Sequence, residues 1–170
     1  MERIAKFLKV SFEEFKKAYF DVYGEENENA IKQVYDAIKT PQRATSGSAG
    51  YDFYAPTDIE LKVGETAKIP TGIRVRIDEG WFLAIYPRSG LGFKYRLQLN
   101  NTVGIIDSDY FNSDNEGHIF IKITNDSNEG KTVSVKSGNG FAQGIFTPFG
   151  ITEDDDVSEI RNGGFGSTTK

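Results

Sequence analysis

Apolar residues change their spacing twice along this chain. From Arg3 to Val10 they read as a short strand. Beyond it, Phe12, Phe15, Tyr19 and Val22 keep the three-to-four spacing of one helical face, between a Ser11/Glu14 capping pattern and Gly24 as a stop. A second helical run, Ile31, Val34, Tyr35 and Ile38, ends before Thr40-Pro41. The spacing predicts a helical hairpin across residues 11–39, either packed on a sheet edge or serving as a partner-binding surface. From Ser48 onward the period drops to two. Ile73-Arg74-Val75-Arg76-Ile77 alternates, as do Ile119, Ile121, Ile123 and then Val133, Val135, so each strand is expected to bury one face. Trp81 to Tyr86 is nearly continuous apolar sequence and reads as a central strand. Turn signals at Val63-Gly64, Asp78-Glu79-Gly80, Asn128-Glu129-Gly130 and Ser137-Gly138-Asn139-Gly140 recur at sandwich or barrel spacing. Helical periodicity is absent from this part, so the reading is a mainly β domain.

Composition narrows the function. A chain of 170 residues is most simply one domain. Its net charge of -5 repels a phosphate backbone and excludes broad nucleic-acid binding, while local arginines and backbone dipoles can still hold a small anion. With no Cys there are neither disulfides nor thiolate metal sites, which fits a reducing cytosol. Charges at Glu2, Arg3 and Lys6, with no long apolar run, predict no signal peptide and no membrane span, hence a cytoplasmic protein. The single histidine, His118, rules out a His-based metal cage and a Ser-His-Asp set and reads as structural. Gly130-Lys131-Thr132 imitates the end of a P-loop, but Asn125 stands where that motif needs glycine.

Oxygen chemistry remains, in five segments. They are Ala49-Gly50-Tyr51-Asp52-Phe53-Tyr54-Ala55, Pro87-Arg88-Ser89-Gly90-Leu91-Gly92, Asn101-Thr102-Val103-Gly104-Ile105-Ile106-Asp107-Ser108-Asp109-Tyr110, Gly138-Asn139-Gly140-Phe141-Ala142-Gln143-Gly144, and the tail Arg161-Asn162-Gly163-Gly164-Phe165-Gly166-Ser167-Thr168-Thr169. The tail joins a guanidinium fork for phosphate, glycines whose N–H groups can converge on an anion, and a flat ring for a base. It reads as an arm closing over a nucleoside triphosphate, with the acidic run Glu153-Asp154-Asp155-Asp156 as its hinge, so that residues 153–170 form hinge and arm. Hard oxygens beside a triphosphate suit Mg²⁺, whose waters Asp52 and Gln143 can orient.

In this order the segments resemble the five motifs of the homotrimeric dUTP pyrophosphatases (dUTPases), over about Pro41 to Thr168. The resemblance implies a jelly-roll-like β-sandwich of the β-clip type, a homotrimer with shared active sites, and hydrolysis of dUTP to dUMP and pyrophosphate. It also implies Asp52 and Gln143 holding Mg²⁺ through water, and Arg88, Ser89 and Gly90 gripping the phosphates. Asn101, Thr102, Val103, Gly104, Ile105 and Ile106 become the uracil-reading hairpin, Asp107 the catalytic carboxylate and Tyr110 the ring under the sugar. Arg161 and Ser167 take the γ-phosphate, Phe165 stacks on the base, and Gly166 between them is a further substrate-binding residue.

The chain departs from that pattern in three places. The tail is one residue shorter between Arg161 and its glycines, the loop 111–116 stands where the family has a single residue, and the 11–39 hairpin has no counterpart. A dCTP deaminase of the same fold is the nearest rival, but Lys122 occupies the position of its catalytic glutamate, and a lysine is no carboxylate base. The other alternative is a dUTPase-fold protein with an added partner-binding role at the helical insertion.

Overall fold

The computed structural model describes residues 2–158. In chain order it contains β1 (Ala5–Lys9), α1 (Phe12–Tyr23), α2 (Glu28–Ala37), β2 (Gln42–Arg43), β3 (Tyr51–Tyr54), β4 (Ile59–Leu61), β5 (Thr66–Pro70), β6 (Ile73–Ile77) and β7 (Trp81–Pro87). There follow α3 (Ser89–Tyr95), β8 (Leu97–Leu99), β9 (Gly104–Ile106), a 3-10 turn at Ser108–Asn112, β10 (Phe120–Asn125), β11 (Val133–Val135) and β12 (Gly140–Pro148). The strands form antiparallel sheets. The largest runs β2-β3-β12-β7-β9; β5-β10-β8 makes a second, and β1-β6 and β11-β4 are pairs.

Alternation along the strands decides which residues meet. Leu83 and Ile85 of β7 and Phe53 of β3 turn inward from the large sheet, and Ile69, Ile121, Ile123, Leu97 and Leu99 come from β5-β10-β8; all join one buried core. Gly144 of β12 leaves room for the inward side chains of its two neighbouring strands, because a Cβ there would lie 2.8 Å from Leu83 and 3.1 Å from Phe53. Trp81–Tyr86 is central, as its apolar run implies, with β12 on one side and β9 on the other. The N-terminal strand is shorter than the sequence pattern, covering Ala5–Lys9.

The helical hairpin folds as its caps dictate. The Ser11 hydroxyl accepts the Glu14 N–H, Gly24 ends α1 at φ 67°, and the Asn27 side chain caps α2. Phe15, Tyr19 and Ile31 pack with Val10 into a second cluster, which Ile38 bridges to the main core. Ile38 and Phe15 fill the space over Gly72, where a Cβ would come within 2.4 Å of one and 3.1 Å of the other. The hairpin is therefore built into the β5–β6 turn.

Two expectations are corrected. A helix, α3, stands where no helical spacing is present, because seven residues containing Gly90 and Gly92 are too few to show a period and their apolar Leu91, Phe93 and Tyr95 alternate as strand residues would. Arg88 starts it through its carbonyl, which accepts the Leu91 and Gly92 N–H groups. Secondly, the strands flanking Asn101–Val103 do not pair as a hairpin: β8 pairs with β10 and β9 with β7, so the turn carries the chain from one sheet to another. Thr102 absorbs the bend at φ 66°.

Candidate active site

One end of the large sheet gathers three of the predicted residues. Register sets Asp52 directly across from Gln143, and Gln143 across from Tyr86, so all three share the face of the sheet that turns away from the core. Arg88, just past the end of β7, places its Nε 3.1 Å from Asp52 Oδ1 and its Nη1 3.3 Å from the Gly140 carbonyl oxygen. Gln143 donates from Nε2 to the Pro87 carbonyl, 3.1 Å away, which turns its Oε1 toward Gly50. Two glycines make room for this. A Cβ on Gly50 would lie 2.6 Å from Gln143 Oε1, and one on Gly140 2.8 Å from Arg88 Nη1. Ser89 and Gly90 open α3 beside Arg88, where the first-turn N–H groups of a helix have no intrahelical acceptor. Tyr86, Arg88, Ser89, Phe93 and Gln143 border an open cavity of about 640 Å³.

The donors here are hard oxygens, a carboxylate and a side-chain carbonyl. Among the described residues no three His, Asp or Glu converge on a metal position. A Mg²⁺ ion fits such a site if a triphosphate supplies its direct ligands and Asp52 and Gln143 reach it through water.

Asp107 lies elsewhere. Leu83 pairs with Ile106, so Asp107 falls beside Phe82, near the opposite end of β7. Arg88 is six residues along that strand, about 20 Å at roughly 3.3 Å per residue, and Asp52 is about as far across the sheet. Asp107 precedes the 3-10 turn, and its side chain makes no capping bond to it. Asn101 and Thr102 are exposed in the turn above, and Gly104 packs its backbone on Ile85, with 3.1 Å left for a Cβ. Ile105 projects outward, 53 % exposed, while Ile106 is buried.

Tyr110 is only 5 % exposed. Its hydroxyl donates to the His118 carbonyl at 2.8 Å and accepts from Asn115 Nδ2 at 2.8 Å. His118 is fully buried and lies just before β10. Its Nε2 accepts the Gly72 N–H at 2.9 Å, which puts the ring proton on Nδ1, 3.2 Å from Glu14 Oε1. The expected Arg161, Phe165, Gly166 and Ser167 lie outside the described residues. Asn115, which holds the Tyr110 hydroxyl, escaped the sequence reading, and no local spacing could have revealed it.

A family model described as dUTPase matches residues 36–169. The deoxyuridine 5'-triphosphate nucleotidohydrolase of Lactococcus lactis is 42% identical over 134 residues, covering 77% of this chain and 88% of that protein. The enzyme of the same name from Tolumonas auensis is 43% identical over 144 residues, covering 80% and 91%. Among solved structures, the dUTPase of Streptococcus mutans superposes with a TM-score of 0.60 at 35% identity, over 69% of this chain and 91% of that one. A variant dUTPase of phage phi11 of S. aureus, described with a structural Mg(II) ion, aligns over 92% of this chain and 98% of its own, with a TM-score of 0.63; at 21% identity it supports the fold alone.

Proposed function

The chain belongs to the dUTPase family and hydrolyses dUTP, and on that premise we propose how its residues divide the work. Asp107 accepts a proton from a water as that water's oxygen bonds to the α-phosphorus. The bond from the α-phosphorus to the oxygen bridging to the β-phosphorus breaks, its electron pair leaves with pyrophosphate, and dUMP remains. Arg88 and the first-turn N–H groups of Ser89 and Gly90 hold the phosphates, with Arg161 and Ser167 of the arm on the γ-phosphate and Phe165 on the base. When bound, Mg²⁺, with Asp52 and Gln143 behind its waters, neutralises triphosphate charge. Backbone groups of residues 101–106 read the uracil edge, where cytosine would leave donors and acceptors unmatched. Tyr110 lies against the deoxyribose and leaves no room for a 2′-hydroxyl. The reaction limits uracil incorporation into DNA and supplies dUMP for dTMP synthesis.

The separation of Asp107 from Arg88 carries a further part of this reading. A triphosphate cannot bridge about 20 Å of one sheet, so a working site takes Asp107 from one copy and the phosphate end from another. The face between them favours such assembly: Ile105 of β9 is 53 % exposed, Ile145 of β12 is half-buried in the same row, and Phe93 of α3 is 94 % exposed. A homotrimer satisfies both demands. Among the described residues no helix is long and apolar enough to cross a membrane.

Pyrophosphate release measured with Mg²⁺ on dUTP, dTTP, dCTP and UTP tests the chemistry, with strong preference for dUTP expected. Comparable turnover of UTP would remove the role given to Tyr110. Co-assembly of two inactive chains, Asp107→Asn and Arg88→Ala, tests sharing: random mixing leaves about a quarter of sites with both groups intact. No recovered activity would place each site within one chain.

A further inference from the structure

The helical hairpin and the loop 111–116 take no part in the reaction above, yet they touch one another, the loop bonds Tyr110 directly and the hairpin is linked to it through His118. Gly117 closes the loop at φ 70°, so near its start that a Cβ there would lie 2.6 Å from the Tyr110 carbonyl oxygen and 2.8 Å from Phe111 Cα. The excursion is pinned to β6 by Arg74, whose guanidinium donates to the Phe111 carbonyl at 2.6 Å and lies 3.7 Å from the Phe111 ring centroid. At the far side Glu116 accepts both the N–H of Ser11, at 2.8 Å, and its hydroxyl, at 2.6 Å. A capping box would have used Glu14 for that N–H. Glu14 instead faces His118 Nδ1.

We propose that the hairpin and the loop together position Tyr110, and that Asn115 and Glu116 thereby determine how strictly deoxyribose is preferred over ribose. The inference rests on Tyr110 lying against the sugar. Two chains of contacts run from α1 to its hydroxyl. One passes from Glu14 through His118, whose carbonyl accepts the hydroxyl proton; the other passes from Ser11 through Glu116 to the adjacent Asn115, whose amide donates to the same oxygen. A tyrosine ring pivots about its Cα–Cβ bond, so bonds at its far end restrict it most. Asn115 is itself held, since its Oδ1 accepts the Gly117 N–H at 3.1 Å. Loosening α1 from the loop frees the segment that anchors the ring, and a displacement on the order of 1 Å is enough to change how a substrate is seated.

The test is kcat/KM on dUTP and on UTP for the full chain and four variants. Asn115→Ala and Glu116→Ala are expected to raise the UTP-to-dUTP ratio about tenfold, through a lower KM for UTP and with little change in kcat for dUTP. Glu116→Gln, which keeps one oxygen for Ser11, falls between Glu116→Ala and the parent chain. A purely structural role would lower both substrates alike and leave the ratio unchanged, and that result overturns the inference. Tyr110→Leu separates the two layers. If it leaves the ratio unchanged, the reading of Tyr110 itself is wrong; if it raises the ratio and the others do not, only the positioning role falls. Should Glu116→Ala unfold, Asn115→Ala decides the matter.

Discussion

The two ends of the large sheet hold their functional groups in different ways. At the end proposed for the phosphates, Asp52, Gln143 and Arg88 are aligned by strand register and by two bare glycines. At the end proposed for the sugar, Asp107 and Tyr110 follow a short strand, and the anchors of Tyr110 depend on elements distant in sequence: Glu116 reaches Ser11 across 105 positions and His118 reaches Glu14 across 104. Register is a property of the sheet and tolerates change elsewhere, whereas the sugar end inherits whatever happens to α1. Contacts with phosphate can therefore persist while selectivity for the sugar varies.

The sharpest way to break this contrast is at Asp107. Asp107→Asn keeps the size of the side chain and a residue suited to begin a 3-10 turn, so the fold is expected to stand while turnover of dUTP falls about a thousandfold. Circular dichroism and pyrophosphate release on one sample check both halves. Normal turnover would move the base to another residue. Next in size is removal of residues 161–170, expected to lower kcat about a hundredfold if Arg161 and Ser167 serve the γ-phosphate as proposed, while assembly by size-exclusion is unchanged.

Gly50→Ala probes the phosphate end alone. The new methyl must displace Gln143 Oε1 from 2.6 Å, and because the same amide donates to the Pro87 carbonyl, its shift strains that bond. We expect about a tenfold fall in kcat/KM with a higher Mg²⁺ requirement, and no change in the UTP-to-dUTP ratio. A changed ratio would mean that the two ends are not independent.

The unequal legibility of these ends has the same origin. Alternation at Ile73–Ile77 and Ile119–Ile123 exposes the strands because burial on one face writes itself into every second residue. Ser11 and Gly24 mark α1 because caps are local. The motif residues at Asp52, Arg88 and Gln143 could be named from their neighbours, although their mutual contacts depend on pairings between strands far apart in the chain. Nothing near Glu14 signals that its carboxylate serves His118 and leaves the Ser11 N–H to Glu116. Likewise α3 was hidden, since a seven-residue helix with two glycines is too short to write a period into its sequence.

The smallest effect is a matter of pH. Burial alone would raise the Glu116 carboxyl, but the hydroxyl and N–H of Ser11, with the Arg74 guanidinium, outweigh it and hold the group below its ordinary value of 4.5. The folded state thus prefers the carboxylate. Its contribution is fully present above 4.5 and is lost as pH falls through the lowered folded value. Glu116→Gln has no such charge to lose. Above the ordinary glutamate range the parent chain is expected to melt about 2 °C higher than Glu116→Gln, a modest gap because the carboxylate is partly solvated. That gap closes on acidification. Melting curves from pH 7 to pH 3 for the two proteins decide it: a gap that stays constant would mean that the loop holds α1 by shape and not by the charge on Glu116.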